Sequence, residues 1–187
     1  MENMDHKVIT GLDKLDYLKR KRYRKTLDFL FKHITKEDRI IDLGTPNPLS
    51  GILIANGFNV INTRGEDFDT DYRKICEYEG DVTTSFEVFE HLLAPFNILR
   101  EIKTDRLIAS VPLRLWFAKA YWNKDSEWDR HYHEFEIRQF NWLLEKSGWK
   151  IIDSATWAAP LRAIGIKPFL RLFTKRFYIV CCERIRQ

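Results

Sequence analysis

Arg39-Ile40-Ile41-Asp42-Leu43-Gly44-Thr45-Pro46-Asn47-Pro48 decides the fold. A short apolar run ending in Asp-x-Gly reads as a buried strand followed by a turn. Glycine after a strand lets backbone approach a ligand closely, and a helix N-terminus beyond it offers free amides. Asp42 can neutralise a cationic group, and the Thr45 hydroxyl can donate a hydrogen bond. Proline is tolerated in the first helical turn, so Pro48 is expected to start a helix over Leu49–Asn56, with Gly57 ending it.

Upstream, Leu12, Leu15, Leu18, Leu27, Leu30, Phe31 and Ile34 recur mostly three and four apart, which predicts a helix over 12–34. Lys36-Glu37-Asp38 breaks that pattern. Downstream, Phe58–Thr63 reads as a strand, and the charged stretch 64–81 gives no assignment. Val82–Ser85 is a strand, and Phe86–Leu93 leads through a loop into a helix over Pro95–Lys103. Arg106–Val111 is a strand stopped by Pro112, and Leu113–Phe135 is a long insertion. Phe135–Lys146 is helical, ended by Ser147-Gly148, and 149–155 and 176–182 are the last strands. Alternating strands and helices imply a mostly parallel sheet covered on both faces. Two final strands without an intervening helix imply an antiparallel arrangement at one edge. The whole chain, 1–187, reads as one domain, with a helical segment over 1–38 and the insertion lying over the cleft.

Composition agrees with a globular chain: 44% of residues are hydrophobic and 31% charged, so disorder is excluded. Three cysteines (Cys76, Cys181, Cys182) form no C-x-x-C pair, which speaks against zinc. Cys181 and Cys182 are adjacent in a strand and point to opposite faces. Met1–Lys7 is polar, without an export signal's apolar core, and no apolar stretch approaches the roughly 20 residues that span a bilayer. A cytoplasmic location is therefore expected. The formal charge is +4, with basic runs at Lys19–Lys25 and at Arg171, Lys175, Arg176, Arg184 and Arg186. Such runs bind nucleic acid or lipid headgroups, or are solvated helix faces.

In an open parallel sheet, ligands bind beyond the carboxyl ends of the strands. The loops after Gly44, Thr63, Ser85 and Val111 are thus the candidates. Ser85-Phe86-Glu87-Val88-Phe89-Glu90-His91-Leu92 places two acids and a histidine at a strand end, where buried charge demands a partner or a cleft. As a histidine, His91 can act as acid, base or donor. The insertion holds Trp116, Tyr121, Trp122, Trp128, His131, Tyr132, His133 and Glu134, an aromatic set suited to lining a pocket. His131-x-His133 has strand-like spacing and no companion carboxylate or cysteine pattern, so no metal is expected.

Together these segments resemble the class I S-adenosylmethionine-dependent methyltransferases, chiefly their small-molecule branch. Ile40–Gly44 is similar to the family's first strand and acid-x-glycine motif. Asp81–Leu92 is similar to its fourth strand with a Glu-His-Leu ending, and Leu107–Pro112 to its fifth. His133-Glu134-Phe135 and Leu143–Trp149 are similar to the later helix and strand. The resemblance implies a Rossmann-like fold with S-adenosylmethionine as cofactor and S-adenosylhomocysteine as product. It implies a cofactor site at Asp42, Gly44, Thr45, Thr63, Arg64, Ser85, Phe86 and Glu87. His91 becomes the candidate base or acceptor-positioning group. His131 and His133 join it in the candidate catalytic set, and Glu90, Tyr121 and Trp122 line the acceptor side. The family's acid-x-Gly-x-Gly-x-Gly loop is altered, with Pro46 and Pro48 at the later glycine positions. Thr63 and Arg64 stand where an acid usually ends the second strand. The family's nucleic-acid and protein amide branches usually carry Asn-Pro-Pro-aromatic after the fourth strand; its absence here implies a small-molecule acceptor, such as a sugar or lipid-linked metabolite. The alternatives are a methyltransferase-like module without catalysis, a nucleic-acid-associated enzyme using Lys19–Lys25, and peripheral membrane contact through Leu161–Arg176.

Overall fold

The computed structural model describes residues 9–159, 169–170 and 173–185. Met1–Lys7 and most of the candidate membrane-contacting stretch Leu161–Arg176 lie outside these residues. Helix α1 spans Tyr17–Leu30. It begins where the Asp16 carboxylate accepts from the Leu18 and Lys19 amides, satisfying donors that have no intrahelical partner. The helix is shorter than the 12–34 span implied by leucine spacing. Leu12 and Leu15 precede it in turns, where they still reach the core by local packing.

Strand β1 (Arg39–Asp42) leads to α2 (Pro48–Ala55). Asn47 caps α2 in a box with Ser50, and Pro48 stands in the first turn. Gly57, at φ 86°, closes the helix before β2 (Asn59–Asn62). The unassigned charged stretch folds without a strand; Tyr72–Glu77 is a 3-10 turn. Strand β3 (Val82–Phe86), α3 (Pro95–Glu101), β4 (Arg106–Pro112), α4 (Ile137–Lys146), β5 (Trp149–Ala158) and β6 (Lys175–Arg184) complete the order. Pro112 lies inside β4 as its last residue, paired with Phe177.

The six-stranded sheet runs β2-β1-β3-β4-β6-β5. The first four strands are mutually parallel, and β6 is antiparallel to both β4 and β5. Alternation along each strand splits the core into two layers. Ile41, Leu107, Ala109, Val180 and Cys182 face Phe89, Ile98, Leu99, Phe140, Leu144 and Trp149. Ile40, Ile108, Ile179 and Cys181 face Leu27, Leu30, Leu49, Ile52 and Leu53. The adjacent cysteines thus serve opposite layers, and burial pushes the Cys181 thiol up to about 12, so it is an inert core group. No described helix is long and apolar enough to cross a membrane.

Candidate active site

The carboxyl ends of β1 and β3 open into a cleft of about 910 Å³, roofed by the insertion and flanked by α1. Its floor is the loop after β1. Gly44 has φ 106°, and a Cβ placed there would meet no atom within 4 Å, so its backbone faces open space. The Gly44 amide donates to Thr63 Oγ1 at 2.8 Å. Asp42, buried beneath the loop, accepts from Thr84 Oγ1 at 2.6 Å and from the Asn47 and Asn62 side-chain amides at 3.0 Å each. Burial pushes its carboxyl up to about 6, against the pull of those three donors. Asp42 therefore ties three chain segments together beneath the cleft wall.

The expected cofactor residues separate accordingly. Gly44, Thr45, Phe86 and Glu87 line the cleft. Asp42 and Thr63 hold the floor in place from below, and Ser85 is fully buried in β3 with its hydroxyl lacking a hydrogen-bond partner among the described residues. Arg64 is exposed and does not line the cleft; its amide donates to Glu66 Oε2. Glu66 also accepts from the Tyr78 hydroxyl at 2.5 Å.

Glu87 carries φ 57°, the only positive value at a non-glycine residue among those described. A glutamate in this region costs free energy and is held there by its surroundings. Its amide donates to the Ser110 carbonyl, and the Ser110 hydroxyl donates to its Oε1 at 3.2 Å. Its Oε2 lies 3.9 Å from the Arg22 guanidinium. Burial raises the Glu87 carboxyl, and Arg22 opposes that shift.

The far wall gathers Glu90, His91, Tyr121, Trp122, Asp129, His131 and Glu134. Phe89–His91 is a single 3-10 turn that aims Glu90 and His91 at the insertion. The insertion is stapled to it: the Tyr132 and His133 amides both donate to the Glu90 carbonyl, at 2.8 and 3.1 Å. His91 and His131 rings meet edge to face at 4.9 Å. His91 Nδ1 lies 3.0 Å from the Arg130 carbonyl, an acceptor only. Nδ1 is therefore the protonated nitrogen, and Nε2 is free to accept, 3.8 Å from Glu90 Oε1. Burial, then the neighbouring Glu87 charge, lifts Glu90 well above the carboxylate range. Burial lowers His131, with His91 adding to the effect.

His133 turns away from this group; its Nε2 lies 3.3 Å from the Leu93 carbonyl and its ring stacks on Phe135. Trp116 and Trp128 are exposed and do not line the cleft. Cations were the residues sequence reasoning missed here. Lys19, Arg22, Lys119 and Arg176 all reach the cleft, so the basic run of α1 is in part a cleft wall. The signal was present in the run itself but not its direction.

No family model and no curated protein sequence matches the chain. Solved structures do match in fold. Magnesium protoporphyrin IX methyltransferase from Synechocystis, with bound S-adenosylhomocysteine, superposes with TM-score 0.59 at 13% identity, covering 96% of this chain and 89% of that one. The chain has the fold of the class I S-adenosylmethionine-dependent methyltransferases. An S-adenosylmethionine-dependent methyltransferase from Archaeoglobus fulgidus matches with TM-score 0.56 at 15% identity, over 90% of this chain and all (100%) of that one. The cyclase SpnF matches with TM-score 0.58 at 10% identity, over 87% and 82%. In this fold the cleft beyond β1 and β3 is where the strand order reverses, the position at which open α/β sheets bind ligands.

Proposed function

We infer that the chain is an enzyme that transfers a methyl group from S-adenosylmethionine to a small-molecule acceptor. The observation that carries this is a single cleft with two unlike walls. One wall is the open backbone of Gly44 with Thr45, Leu49 and Phe86; the other is the polar cluster of Glu90, His91 and His131. Its volume of about 910 Å³ accommodates a donor and an acceptor side by side. Neighbours are named as methyltransferases of phosphoethanolamine and of magnesium protoporphyrin IX, and two of those structures hold S-adenosylhomocysteine. S-adenosylmethionine, when bound, supplies an electrophilic methyl group on a sulfonium.

The residues fit that donor with fewer amide contacts than a three-glycine loop gives. Gly44 leaves its backbone open, and Leu49 and Phe86 offer apolar walls. Arg22 and Lys19 match a carboxylate, while Glu87 matches an ammonium or sulfonium charge. On the acceptor side, His91 Nε2 is positioned to take a proton from a nucleophile, and the exposed rings of Tyr121 and Trp122 shape the rim. Holding acceptor and donor in line supplies much of the rate.

A second reading, a binding module without catalysis, is favoured by the first turn of α2. Pro46 and Pro48 have no amide to give, and Asn47 Oδ1 already accepts from Leu49 and Ser50. Calorimetry with S-adenosylmethionine and S-adenosylhomocysteine decides between them. Micromolar binding that weakens at least about tenfold in Gly44→Ala supports the enzyme, since a Cβ would enter the open space. Absence of binding at millimolar ligand, in a sample with a cooperative melt, favours the module.

A further inference from the structure

We propose that Glu90, His91 and His131 form a binding site for a divalent transition-metal ion. From sequence, His131 lacks a companion carboxylate; the fold supplies Glu90 together with His91. One ligand atom from each of the three lies within 4.8 Å of the other two. Four-coordinate zinc at about 2.0–2.2 Å needs ligand atoms about 3.3–3.6 Å apart, so movement of about an ångström or less per group brings all three onto one ion, with the fourth position left open.

The independent observation is an unsatisfied buried carboxyl group. Glu90 is 1% exposed, and neither carboxylate oxygen has a hydrogen-bond partner among the described residues. His131 Nδ1 is likewise buried without one. Buried polar groups are nearly always hydrogen-bonded or bound to an ion, and a carboxyl group with both oxygens unpartnered is a rare exception. The nearby cations make no ion pair with Glu90: Arg22 lies against Glu87, and Arg176 lies against Glu134 while donating to the Leu113 carbonyl. His91 has the outer support of a metal ligand. Its Nδ1 donates to the Arg130 carbonyl, which fixes the tautomer and leaves Nε2 as the lone pair facing Glu90. Glu134 Oε1 lies 3.4 Å from His131 Nδ1 without hydrogen-bonding it, and adds negative charge beside the set. The staples from Tyr132 and His133 to the Glu90 carbonyl hold the two halves of the set together before any ion arrives.

Two imidazoles and one carboxylate select zinc, cobalt, iron or manganese over magnesium and calcium, which prefer all-oxygen shells. Three protein ligands leave positions open towards the cleft, where an oxygen of the acceptor can bind; with the ion in place His91 Nε2 is a ligand, and the cation takes over from it the activation of that oxygen. That catalytic use rests on the methyltransferase reading; metal binding itself does not.

The test uses the untagged, chelator-treated full chain, without S-adenosylmethionine. Co²⁺ and Zn²⁺ are titrated by absorption and calorimetry, beside Mg²⁺. The expected result is one ion per chain, visible Co²⁺ d–d bands, and Mg²⁺ weaker by about 100-fold or more. Glu90→Gln and His131→Ala should each weaken Zn²⁺ by about 100-fold, whereas His133→Ala, outside the set, leaves it unchanged. His131→Ala stands as the second variant should Glu90→Gln fail to fold. No Co²⁺ or Zn²⁺ binding by the wild-type chain overturns the proposal. So does binding that survives both substitutions, or that His133→Ala abolishes equally. S-adenosylhomocysteine titrated separately into the metal-free chain shows whether the donor site stands or falls on its own.

Discussion

The Thr84 hydroxyl donates to Asp42 Oδ1 at 2.6 Å, a fully buried link from β3 to the end of β1. With Asn47 and Asn62 it compensates only part of the cost of burying the Asp42 carboxylate, whose pKa rises from 3.8 to about 6. The folded chain therefore holds this proton more tightly than the unfolded chain. Stability from Asp42 is fully present below pH 3.8 and is lost as pH rises to about 6, by about 3 kcal/mol in total. Asp42→Asn cannot titrate. Urea unfolding at intervals from pH 4 to pH 8 should show the variant gaining about 2.5 kcal/mol relative to wild type across that range. A constant difference at every pH sinks the argument.

Two glycine-to-alanine changes should move stability in opposite directions. A Cβ on Gly80 would lie 2.8 Å from the Arg39 carbonyl oxygen and 2.9 Å from Ile41 Cγ1, so Gly80→Ala forces β1 and the entry to β3 apart. It should cost about 1–3 kcal/mol. Gly51 is exposed within α2 and its Cβ would meet nothing within 4 Å. Gly51→Ala should add about 0.5–1 kcal/mol through helix propensity. Denaturant midpoints of the two variants check both signs.

Trp149 is fully buried, donates its Nε1 hydrogen to the Leu99 carbonyl at 3.0 Å, and has the Arg184 guanidinium carbon 4.0 Å from its ring centre. Trp149→Phe keeps a ring but loses the donor and part of the volume. A loss of about 1–3 kcal/mol is expected, with α3 and β5 loosened together. Thermal melting measures the loss.

Arg22 is the cleft cation closest to Glu87, and its guanidinium also lies 5.6 Å from the centre of the Phe177 ring. If it receives a donor carboxylate, Arg22→Gln should weaken S-adenosylhomocysteine about tenfold, the effect of one charge-assisted hydrogen bond. The wild-type affinity should fall with added salt while that of the variant changes less. Equal affinities, measured by calorimetry, would place the carboxylate elsewhere.

The sheet was legible because its signals are local. Ile40–Gly44, Leu107–Val111 and the Gly57 and Gly148 stops each announce themselves within a few residues. The 64–81 stretch was not legible: its charges carry no period, and its 3-10 turn is held by distant contacts such as the Cys76 thiol donating to the Glu101 carbonyl. In the site, Gly44, Glu90 and His91 could be marked from strand ends alone. Which of His131 and His133 turns inward could not. Neighbours two apart in a strand share a face, but here the backbone is irregular and bonded to Glu90. Arg22 was hidden among equally basic neighbours, since the phase of a helix against its cleft is set by packing of Tyr23, Leu27 and Leu30 rather than by charge.

Strand β6 sits between β4 and β5, so β5 touches the sheet only through a strand made later in the chain. During synthesis a ribosome-bound chain that stops before Lys175 has a four-strand sheet with an open β4 edge and a β5 with nowhere to dock. Closure waits for β6, and an unpaired β4 edge is a ready template for another strand.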